Sequence, residues 1–202
     1  MKKIALIDMD GTLFDYSKQL KEDLQKLQSP NDPELPDDVH DESLPWLKAR
    51  MDLIKSVPGW WRNLPKFELG WQILDIIFDM NFDCEILTKG PRSKPHAWAE
   101  KVQCINDHFG NKINVNVVGK SKAKTYGHVL VDDYPQYVLE WLEHRPRGLV
   151  IVPAHFYNMN VNHPNIIRYD GNNKDEINEA LSAVVNRVGK QHWRLTSGLN
   201  HE

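Results

Sequence analysis

Short apolar segments alternate with amphipathic segments along most of the chain. The first apolar run, residues 4–7, has no polar position and is too short for a stable helix, so it predicts a strand buried on both faces. Further short apolar runs lie at residues 84–87, 115–118, 128–131, 149–152 and 166–167. Segments with helical spacing of apolar residues lie at 97–109, 135–142 and 177–188. This alternation predicts an α/β fold with a doubly wound parallel sheet.

The region between the first two predicted strands has a different pattern. Apolar residues recur there at helical spacing in three segments, at residues 17–27, 47–56 and 69–80. An acidic, proline-rich stretch at residues 29–43 predicts a surface loop, since its acids show no metal-ligand spacing. We therefore predict a core of residues 1–14 and 76–190, a small helical cap of residues 15–75 inserted after the first strand, and a C-terminal tail of residues 191–202.

Three predicted strands end in polar residues. Asp8 and Asp10 follow the first strand, Thr88 follows the second, and the pair Asp132 and Asp133 follows a later one. The carboxyl ends of parallel strands meet at one edge of the sheet, where open α/β sheets bind ligands. We therefore expect these side chains to form one site. A capped strand followed by a polar turn is the alternative for the Asp-x-Asp-Gly pattern taken alone.

So many carboxylates in one place would repel one another unless a cation balanced their charge. Oxygen ligands of this kind favour Mg²⁺, which usually keeps several waters and a substrate phosphate among its ligands. Lys120, Lys122 and Lys124 lie between Thr88 and Asp132 in the chain, where they could reach the same edge. A solvated basic loop is the alternative for these lysines.

Composition and charge limit the kinds of molecule that the protein is expected to bind. The 202 residues carry a formal net charge of −3, which gives no electrostatic reason to expect binding to a nucleic acid polymer or to an anionic membrane. The apolar run before Asp8 is too short for a signal peptide or a membrane span. Cys84 and Cys104 lie in apolar segments, which is typical of buried reduced thiols. We expect a cytoplasmic protein.

The ordered polar motifs resemble those of the haloacid dehalogenase superfamily phosphatases. The matching residues are Asp8-Met9-Asp10-Gly11-Thr12 after the first strand, Thr88 after a second, a lysine before the last motif, and Asp132-Asp133 after a further strand. The resemblance covers the Rossmann-like part, from residue 1 to about residue 170. It implies an enzyme that hydrolyses a small-molecule phosphomonoester through an aspartyl-phosphate.

The resemblance also implies a role for each motif residue. Asp8 would be the nucleophile. Asp10 would be the general acid for the leaving oxygen and then the general base for water. Thr88 and Lys122 would hold the phosphoryl oxygens and stabilise charge in the transition state.

Mg²⁺ is the cofactor that the resemblance implies. Its ligands would be Asp8, the main-chain carbonyl of Asp10 and one acid of the following pair. We prefer Asp133, because relatives with this paired form tend to use the second position. Asp132 is then the alternative ligand or a neighbour that supports the site.

Further stretches are similar to one subfamily, the 5'(3')-deoxyribonucleotidases. Lys122 lies ten residues before Asp132, which resembles the spacing in that subfamily. Residues 58–65 resemble a segment in which a Pro-Gly turn precedes paired aromatics around the nucleobase, and residues 97–110 resemble the helix after the second motif. The implied substrate is a nucleoside 5'-monophosphate, deoxyribonucleotides included.

Trp60 and Trp61 are the implied base-binding residues. An aromatic ring can stack on a nucleobase without sequence-specific hydrogen bonds. Packing of the cap against the core is the alternative role for either ring. Because adjacent residues seldom both face the core, we expect at least one of the two rings to face the substrate.

The second motif departs from the subfamily pattern. Thr-Ser-Pro is common there, whereas this chain has Thr88-Lys89-Gly90-Pro91. Lys89 could replace the lost hydroxyl contact to phosphate with a full charge, or it could face solvent. Arg92 and Lys94 are further candidates for a phosphate contact.

Two other functions stay open on the sequence. The chain could be a phosphatase of the same mechanism that acts on another small phosphorylated metabolite, or a non-catalytic domain that binds a nucleotide or a protein. The intact pair of Asp8 and Asp10 argues against the second, since a binding domain has no need of a nucleophile. Aromatic residues of the cap could also form the contact of a homodimer.

Overall fold

The computed structural model of the chain describes residues 2–36 and 44–187. In chain order its elements are β1 (Ile4–Ile7), α1 (Tyr16–Lys26), α2 (Pro45–Ile54), α3 (Glu68–Asp79), β2 (Asp83–Lys89), α4 (Pro95–Phe109), β3 (Asn114–Val118), β4 (Val129–Val131), α5 (Pro135–His144), β5 (Leu149–Pro153), β6 (Ile166–Tyr169) and α6 (Lys174–Asn186). Within the described residues, six parallel strands form one sheet in the order β3-β2-β1-β4-β5-β6. The predicted α/β fold with a doubly wound parallel sheet is confirmed.

The central strand of the sheet is β1, which pairs with β2 on one side and β4 on the other. Ala5 and Ile7 belong to the apolar cluster that includes α3, α4 and α6, whereas Leu6 belongs to the cluster on the opposite face with α5. Both faces of β1 are therefore covered, which explains why the run has no polar position. Ile7 pairs with Ile86 and with Val131, so the residues that follow these strands emerge at the same edge.

Helix α3 joins the predicted cap to the core. The predicted boundary between residues 75 and 76 falls inside this helix. The helix packs closely on the loop after β1, since a β-carbon at Gly70 would lie 1.7 Å from the carbonyl oxygen of Thr12, and it also contacts β5. We use the name cap segment for residues 15–36 and 44–65, which carry α1, α2 and the loop after them. The division of the chain into domains stays a prediction.

The remaining expectations concern the acidic loop, the C-terminal tail, the two cysteines and membrane-spanning segments. Residues 37–43 of the predicted acidic loop and all of the predicted tail, 191–202, lie outside the described residues. Cys84 and Cys104 are buried free thiols. Among the described helices, none is both long enough and apolar enough to cross a membrane.

Candidate active site

A cavity of about 430 Å³ lies at the carboxyl edge of the sheet, between the core and the cap segment. The predicted site residues that line it are Asp8, Asp10, Lys89, Lys122 and Asp133 from the core and Trp61 from the cap segment. The predicted site residues that do not line it are Thr88, Asp132 and Trp60. We call this the active-site cavity, because it gathers most of the residues with the predicted chemistry.

Lys122 connects two of the acids at this edge. Its Nζ lies 2.7 Å from Asp8 Oδ1 and 2.6 Å from Asp132 Oδ2. The side chain is buried, whereas Lys120 and Lys124 on either side are exposed. Burial lowers the pKa of Lys122, but the carboxylates of Asp132 and Asp8 outweigh this effect and raise the pKa above its ordinary value. Lys122 is therefore positively charged at neutral pH.

Three carboxylates lie close together at this edge of the sheet. Asp8, Asp132 and Asp133 each place one oxygen atom within 4.8 Å of the others. Burial raises the pKa of Asp132 to about 8 and that of Asp133 to about 7, the charge of Asp8 adds to both shifts, and Lys122 opposes them. One lysine does not balance three acids. Their hard oxygen donors fit a divalent cation such as Mg²⁺.

Asp133 is held by three side chains from two separate segments. The Thr12 hydroxyl donates to Oδ1 at 2.9 Å, the Tyr157 hydroxyl donates to Oδ2 at 2.6 Å, and the Asn158 amide donates to the main-chain carbonyl at 3.0 Å. Gly11 lies against the same carboxylate with a φ of 75°, and a β-carbon there would be 2.4 Å from Oδ2. None of these supporting roles was predicted, because Gly11 and Thr12 belong to the first motif without an assigned role, and Tyr157 and Asn158 carry no recognisable motif.

A second lysine, Lys101 of α4, reaches the other acid of the first motif. Its Nζ forms an ion pair with Asp10 Oδ2, and it donates to Thr88 Oγ1 at 3.0 Å and to the carbonyl oxygen of Lys89 at 2.8 Å. Lys101 is fully buried, and its Nζ lies 4.9 Å from the centroid of the Trp61 ring. It therefore joins the first motif, the second motif and the cap segment.

Lys101 was not among the predicted site residues, although the sequence holds a signal for it. It lies four residues after Ala97 and three before Cys104, so it occupies the apolar face of α4. A charge on such a face needs a buried partner. That partner, Asp10, is 91 positions away in the chain, and only the folded structure identifies it.

The two carboxylate oxygens of Asp10 have different environments. Oδ2 is engaged by Lys101, whereas Oδ1 is buried and has no hydrogen-bond partner in the described part of the chain. The side chain as a whole is 24% exposed, on the cavity side. Burial raises the pKa of Asp10 above its ordinary value, although Lys101 opposes this, and the charge of Asp8 adds to the rise. Asp10 therefore holds a proton more readily than an ordinary aspartate.

The three cationic residues near the second motif lie in different places. Lys89 lines the active-site cavity and donates to the Tyr137 hydroxyl at 2.8 Å. Lys94 forms an ion pair with Asp52 of α2 at 3.2 Å, which ties the start of α4 to the cap segment. Arg92 lines a separate, smaller cavity. Of the three, only Lys89 reaches the active-site cavity.

The two tryptophans of the cap segment are both buried, with 8% exposure for Trp60 and 5% for Trp61. Trp61 lines the active-site cavity, and its ring stacks on Tyr16 with centroids 5.7 Å apart. Trp60 instead donates through Nε1 to Asp23 Oδ2 of α1 at 2.9 Å. The structure therefore brings Trp61 to the cavity and leaves Trp60 in the packing of the cap segment.

Glu100 of α4 attaches the tryptophan loop to the core. Its Oε1 accepts from the Gly59 amide at 2.8 Å, and its Oε2 accepts from the Trp61 amide at 3.1 Å. Glu100 and Lys101 are neighbours in the chain, and together they hold the cap loop and the acid Asp10. Sequence reasoning missed this link, because a glutamate on a helix is usually solvated.

No protein-family model matches the sequence, and a search of curated proteins also gives no match. Solved structures do match. A haloacid dehalogenase-like family hydrolase from Xanthomonas campestris is 14% identical, with 91% of this chain and 96% of that chain covered and a TM-score of 0.53. The HAD-hydrolase YfnB from Bacillus subtilis, crystallised bound to magnesium, is 12% identical, with 92% and 99% covered and a TM-score of 0.53. A HAD family hydrolase from Deinococcus radiodurans R1 with bound phosphate and sodium is 10% identical, with 91% and 96% covered and a TM-score of 0.51.

The chain has a haloacid dehalogenase-like fold. The match extends over nearly the whole of each protein, so it includes both the parallel sheet and the helices inserted after the first strand. At sequence identities of 10% to 14%, the similarity to these structures establishes the fold and does not establish the function. The chemistry of this chain has to be argued from the side chains at its own cavity.

Proposed function

We propose that the protein is a Mg²⁺-dependent phosphomonoesterase that hydrolyses nucleoside 5'-monophosphates through an aspartyl-phosphate. The observation that carries this proposal is the meeting of Asp8, Asp10 and Lys122 at one cavity with the Trp61 ring on its cap side. A nucleophile, a proton donor and a fixed cation are the groups that phosphoryl transfer to a carboxylate requires. The aromatic wall supplies a surface for a flat base.

Asp8 is the nucleophile in this proposal. Its Oδ1 is held by Lys122, which orients the carboxylate towards the cavity. One carboxylate oxygen of Asp8 forms a bond to phosphorus, while the bond from phosphorus to the nucleoside oxygen breaks. Water then attacks the phosphorus of the aspartyl-phosphate, the bond from phosphorus to Asp8 breaks, and inorganic phosphate leaves.

Asp10 moves the protons in both steps. It donates a proton to the leaving nucleoside oxygen and later accepts one from the attacking water. Because Lys101 engages Oδ2, Oδ1 is the oxygen that can carry the proton, since it has no partner among the described residues. Oδ1 is buried, so the proposal requires the carboxyl group to turn towards the cavity when it donates. The raised pKa of Asp10 favours the protonated form that the first step needs.

Asp8, the main-chain carbonyl of Asp10, and Asp133 would hold the metal ion. Asp133 lines the cavity, whereas Asp132 does not, and Asp132 Oδ2 is held by the Lys122 ammonium at 2.6 Å. When bound, Mg²⁺ supplies charge neutralisation of the phosphate and of the acid cluster. Asp132 acts on the site by holding Lys122.

Three residues are proposed to hold the phosphoryl oxygens. Lys122 and Lys89 both line the cavity. Thr88 Oγ1 accepts a hydrogen bond from Lys101, which leaves the Thr88 hydroxyl hydrogen to donate to a phosphoryl oxygen. These donors would stabilise the charge on the transferred group.

Trp61 and Tyr16 are proposed to contact the nucleobase. Their rings stack on each other at the cap side of a cavity whose volume of about 430 Å³ is ordinary for a small-molecule site. Trp60 retains a packing role, in line with its bond to Asp23. The position of Trp61 supports a flat aromatic group in the substrate, and it does not distinguish ribose from deoxyribose.

Phosphate release from a panel of nucleoside monophosphates and sugar phosphates, with Mg²⁺ or with EDTA, tests the proposal. We expect turnover of nucleoside 5'-monophosphates that needs Mg²⁺ and that is lost in Asp8→Asn. Turnover that EDTA and Asp8→Asn leave unchanged would contradict the mechanism. Turnover of sugar phosphates alone would keep the mechanism and remove the nucleotide, and inactivity of a folded, metal-loaded protein on every substrate would favour a binding domain.

A further inference from the structure

A second cavity, of about 340 Å³, lies at the opposite edge of the sheet from the active-site cavity. Its walls come from residues that precede β1, β4 and β5 and from the carboxyl ends of α5 and α6. We call it the basic cavity, after the residues with ionisable side chains that line it. These are Lys3, His128, His144, Arg145, Arg147 and Arg187, together with the phenol of Tyr126.

The permanent charges at the basic cavity are all positive. Within residues 2–36 and 44–187, no Asp or Glu lines it, and none of its four Lys and Arg residues forms an ion pair with a carboxylate. This concentration of cations occurs in a chain whose formal net charge is −3. Neighbouring cations repel one another, so an anion bound among them would be stabilised.

Most hydrogen-bond donors of these cations have no acceptor among residues 2–36 and 44–187. Lys3 Nζ donates to the Arg187 carbonyl oxygen at 3.2 Å, and Arg187 donates through one nitrogen to the Arg147 carbonyl oxygen. Arg145 donates to two main-chain carbonyl oxygens, and its Nε is buried without a partner in the described part of the chain. A guanidinium has five donors and an ammonium has three. A buried donor without a partner indicates a missing acceptor.

Tyr126 adds a neutral donor and an aromatic face. Its side chain is 58% exposed, and the Arg145 guanidinium lies 5.5 Å from the ring centroid. His128 Nδ1 accepts from the Ile4 amide at 3.0 Å, so its Nε2 carries the hydrogen and donates to the Tyr126 oxygen at 3.2 Å. Burial and the charge of Lys3 lower the pKa of His128, which keeps this neutral form. The Tyr126 hydroxyl hydrogen is therefore available to a ligand.

We propose that the basic cavity binds a small anion that carries two or more phosphate groups. Arginine forks match pairs of phosphate oxygens, and several cations on one small cavity match an anion with several charges. The volume suits a compact ligand such as a diphosphate group. The basic cavity lies at the opposite edge of the sheet from Asp8. The proposal of anion binding there is therefore independent of the proposed phosphatase activity.

Arginine footprinting locates the binding, because the described residues that line the active-site cavity include lysines but no arginine. The folded protein is labelled with phenylglyoxal with and without inorganic pyrophosphate, at matched ionic strength, and the peptides are analysed by mass spectrometry. We expect pyrophosphate to reduce labelling of Arg145, Arg147 and Arg187 several-fold. Labelling of Arg62, which pairs with Asp107 on the surface, is expected to stay unchanged.

The concentration of pyrophosphate that gives half-protection of Arg145 reports the affinity of this site alone. Arg147 is exposed, and its side chain makes no hydrogen bond or ion pair in the described structure, so Arg147→Gln should leave the fold intact. We expect Arg147→Gln to raise the half-protection concentration about tenfold, the effect of one charge-assisted contact. Lys112→Gln, an equal charge change at an exposed residue near β3, is the matched control and should leave it unchanged.

Three outcomes would overturn the proposal. Equal loss of labelling at Arg62 would indicate ionic screening rather than a site. Equal half-protection concentrations for Arg147→Gln and Lys112→Gln would show that the cavity makes no specific contact. Protection by an oligonucleotide without protection by pyrophosphate would assign the surface to a nucleic acid polymer.

Discussion

The two walls of the active-site cavity are built in different ways. On the core wall each reacting side chain lies at the end of a strand, as Asp8 does after β1 and Asp133 after β4, so the parallel pairing of the strands fixes their positions. On the cap wall, Trp61 is held by Glu100, 39 positions away in the chain. Strand ends therefore set the positions of the acids on the core wall, whereas a contact between distant segments sets the position of Trp61 on the cap wall.

This difference suggests that the walls have separable functions. Changes on the core wall should lower kcat and leave substrate affinity almost unchanged, whereas changes on the cap wall should raise KM and leave the chemical step intact. Helix α4 contacts both walls, since Glu100 holds the cap loop and Lys101 holds Asp10. A core change that alters only binding, or a cap change that alters only chemistry, would break the comparison.

The largest effect is expected for Asp8→Asn. The amide cannot form the aspartyl-phosphate, so kcat should fall by about 10⁴-fold or more. Nucleotide affinity should stay within the same order of magnitude, because Trp61 and Lys89 are unchanged. Single-turnover phosphate release and equilibrium dialysis with a nucleoside monophosphate measure the two quantities.

Asp15→Asn is the matched control for this change. Asp15 accepts from the Lys18 amide at the start of α1 and does not line the active-site cavity, so Asp15→Asn, which keeps a capping oxygen, should change stability and activity little. If Asp8→Asn kept turnover within tenfold of the wild type, Asp8 would not be the nucleophile.

The same difference explains how much could be predicted from the sequence. Asp8, Asp10 and Asp133 were predicted to meet because apolar runs identify strands and parallel strands align their carboxyl ends. The parallel arrangement of the strands was predicted and is confirmed, whereas their order in the sheet was not predicted. Polar residues that follow predicted parallel strands can therefore be assigned to one site from the sequence.

Residues that act across long separations were not predicted. Lys101 could have been recognised as a charge on an apolar helix face, but its partner could not. The same holds for Tyr157, which contacts Asp133 from a loop after β5. For Trp60 and Trp61 the expectation rested on the resemblance of residues 58–65 and on the adjacency of the two residues, and in the folded cap both rings are buried and contact Tyr16.

Lys101→Met is expected to have the next largest effect. Methionine keeps much of the apolar volume and removes the contacts to Asp10 and Thr88. We expect kcat to fall by about 10²- to 10³-fold, the usual loss for one electrostatic group at a reacting centre. Because Lys101 opposes the rise in the pKa of Asp10, its removal should also move the pH profile of kcat to higher pH. Steady-state kinetics across pH measure both effects.

The neighbouring substitution Glu100→Gln is the control for Lys101→Met. It weakens the bonds to the Gly59 and Trp61 amides without touching Asp10, so KM should rise several-fold while the pH profile of kcat stays in place. A Lys101→Met protein that showed a higher KM but the wild-type pH profile would assign Lys101 to the cap wall.

Trp61→Leu tests whether the cap wall binds the nucleobase. Loss of one stacking surface is worth about 1–3 kcal/mol, so KM for a nucleoside monophosphate should rise by about tenfold. The kcat/KM for a phosphate ester without an aromatic group should stay the same. Trp60→Phe, which removes the bond to Asp23, is the control, and it should lower Tm without changing KM. Equal losses for both kinds of substrate would show that Trp61 only supports the fold.

The smallest effect is a pH dependence of the stabilisation by Mg²⁺. Burial raises the pKa of Asp132 and of Asp133, so the metal-free folded chain holds protons there that the unfolded chain releases above about pH 4. Their contribution to the stability of the metal-free fold is therefore full below that pH and is lost as pH rises through the folded pKa values. Mg²⁺ needs the Asp133 carboxylate without its proton, so the stabilisation by Mg²⁺ should grow as pH rises through the folded pKa of Asp133.

We expect Mg²⁺ to raise Tm by about 2–4 °C more at about pH 8.5 than at about pH 6.5, which corresponds to about 1 kcal/mol for a domain of this size. Thermal unfolding with Mg²⁺ and with EDTA at both pH values measures the difference. Asp133→Asn removes a proposed ligand and should abolish most of the Mg²⁺ effect at both pH values. An equal rise in Tm at the two pH values would mean that the metal binds without displacing protons from this cluster, and the ligands would then have to be sought outside the core wall.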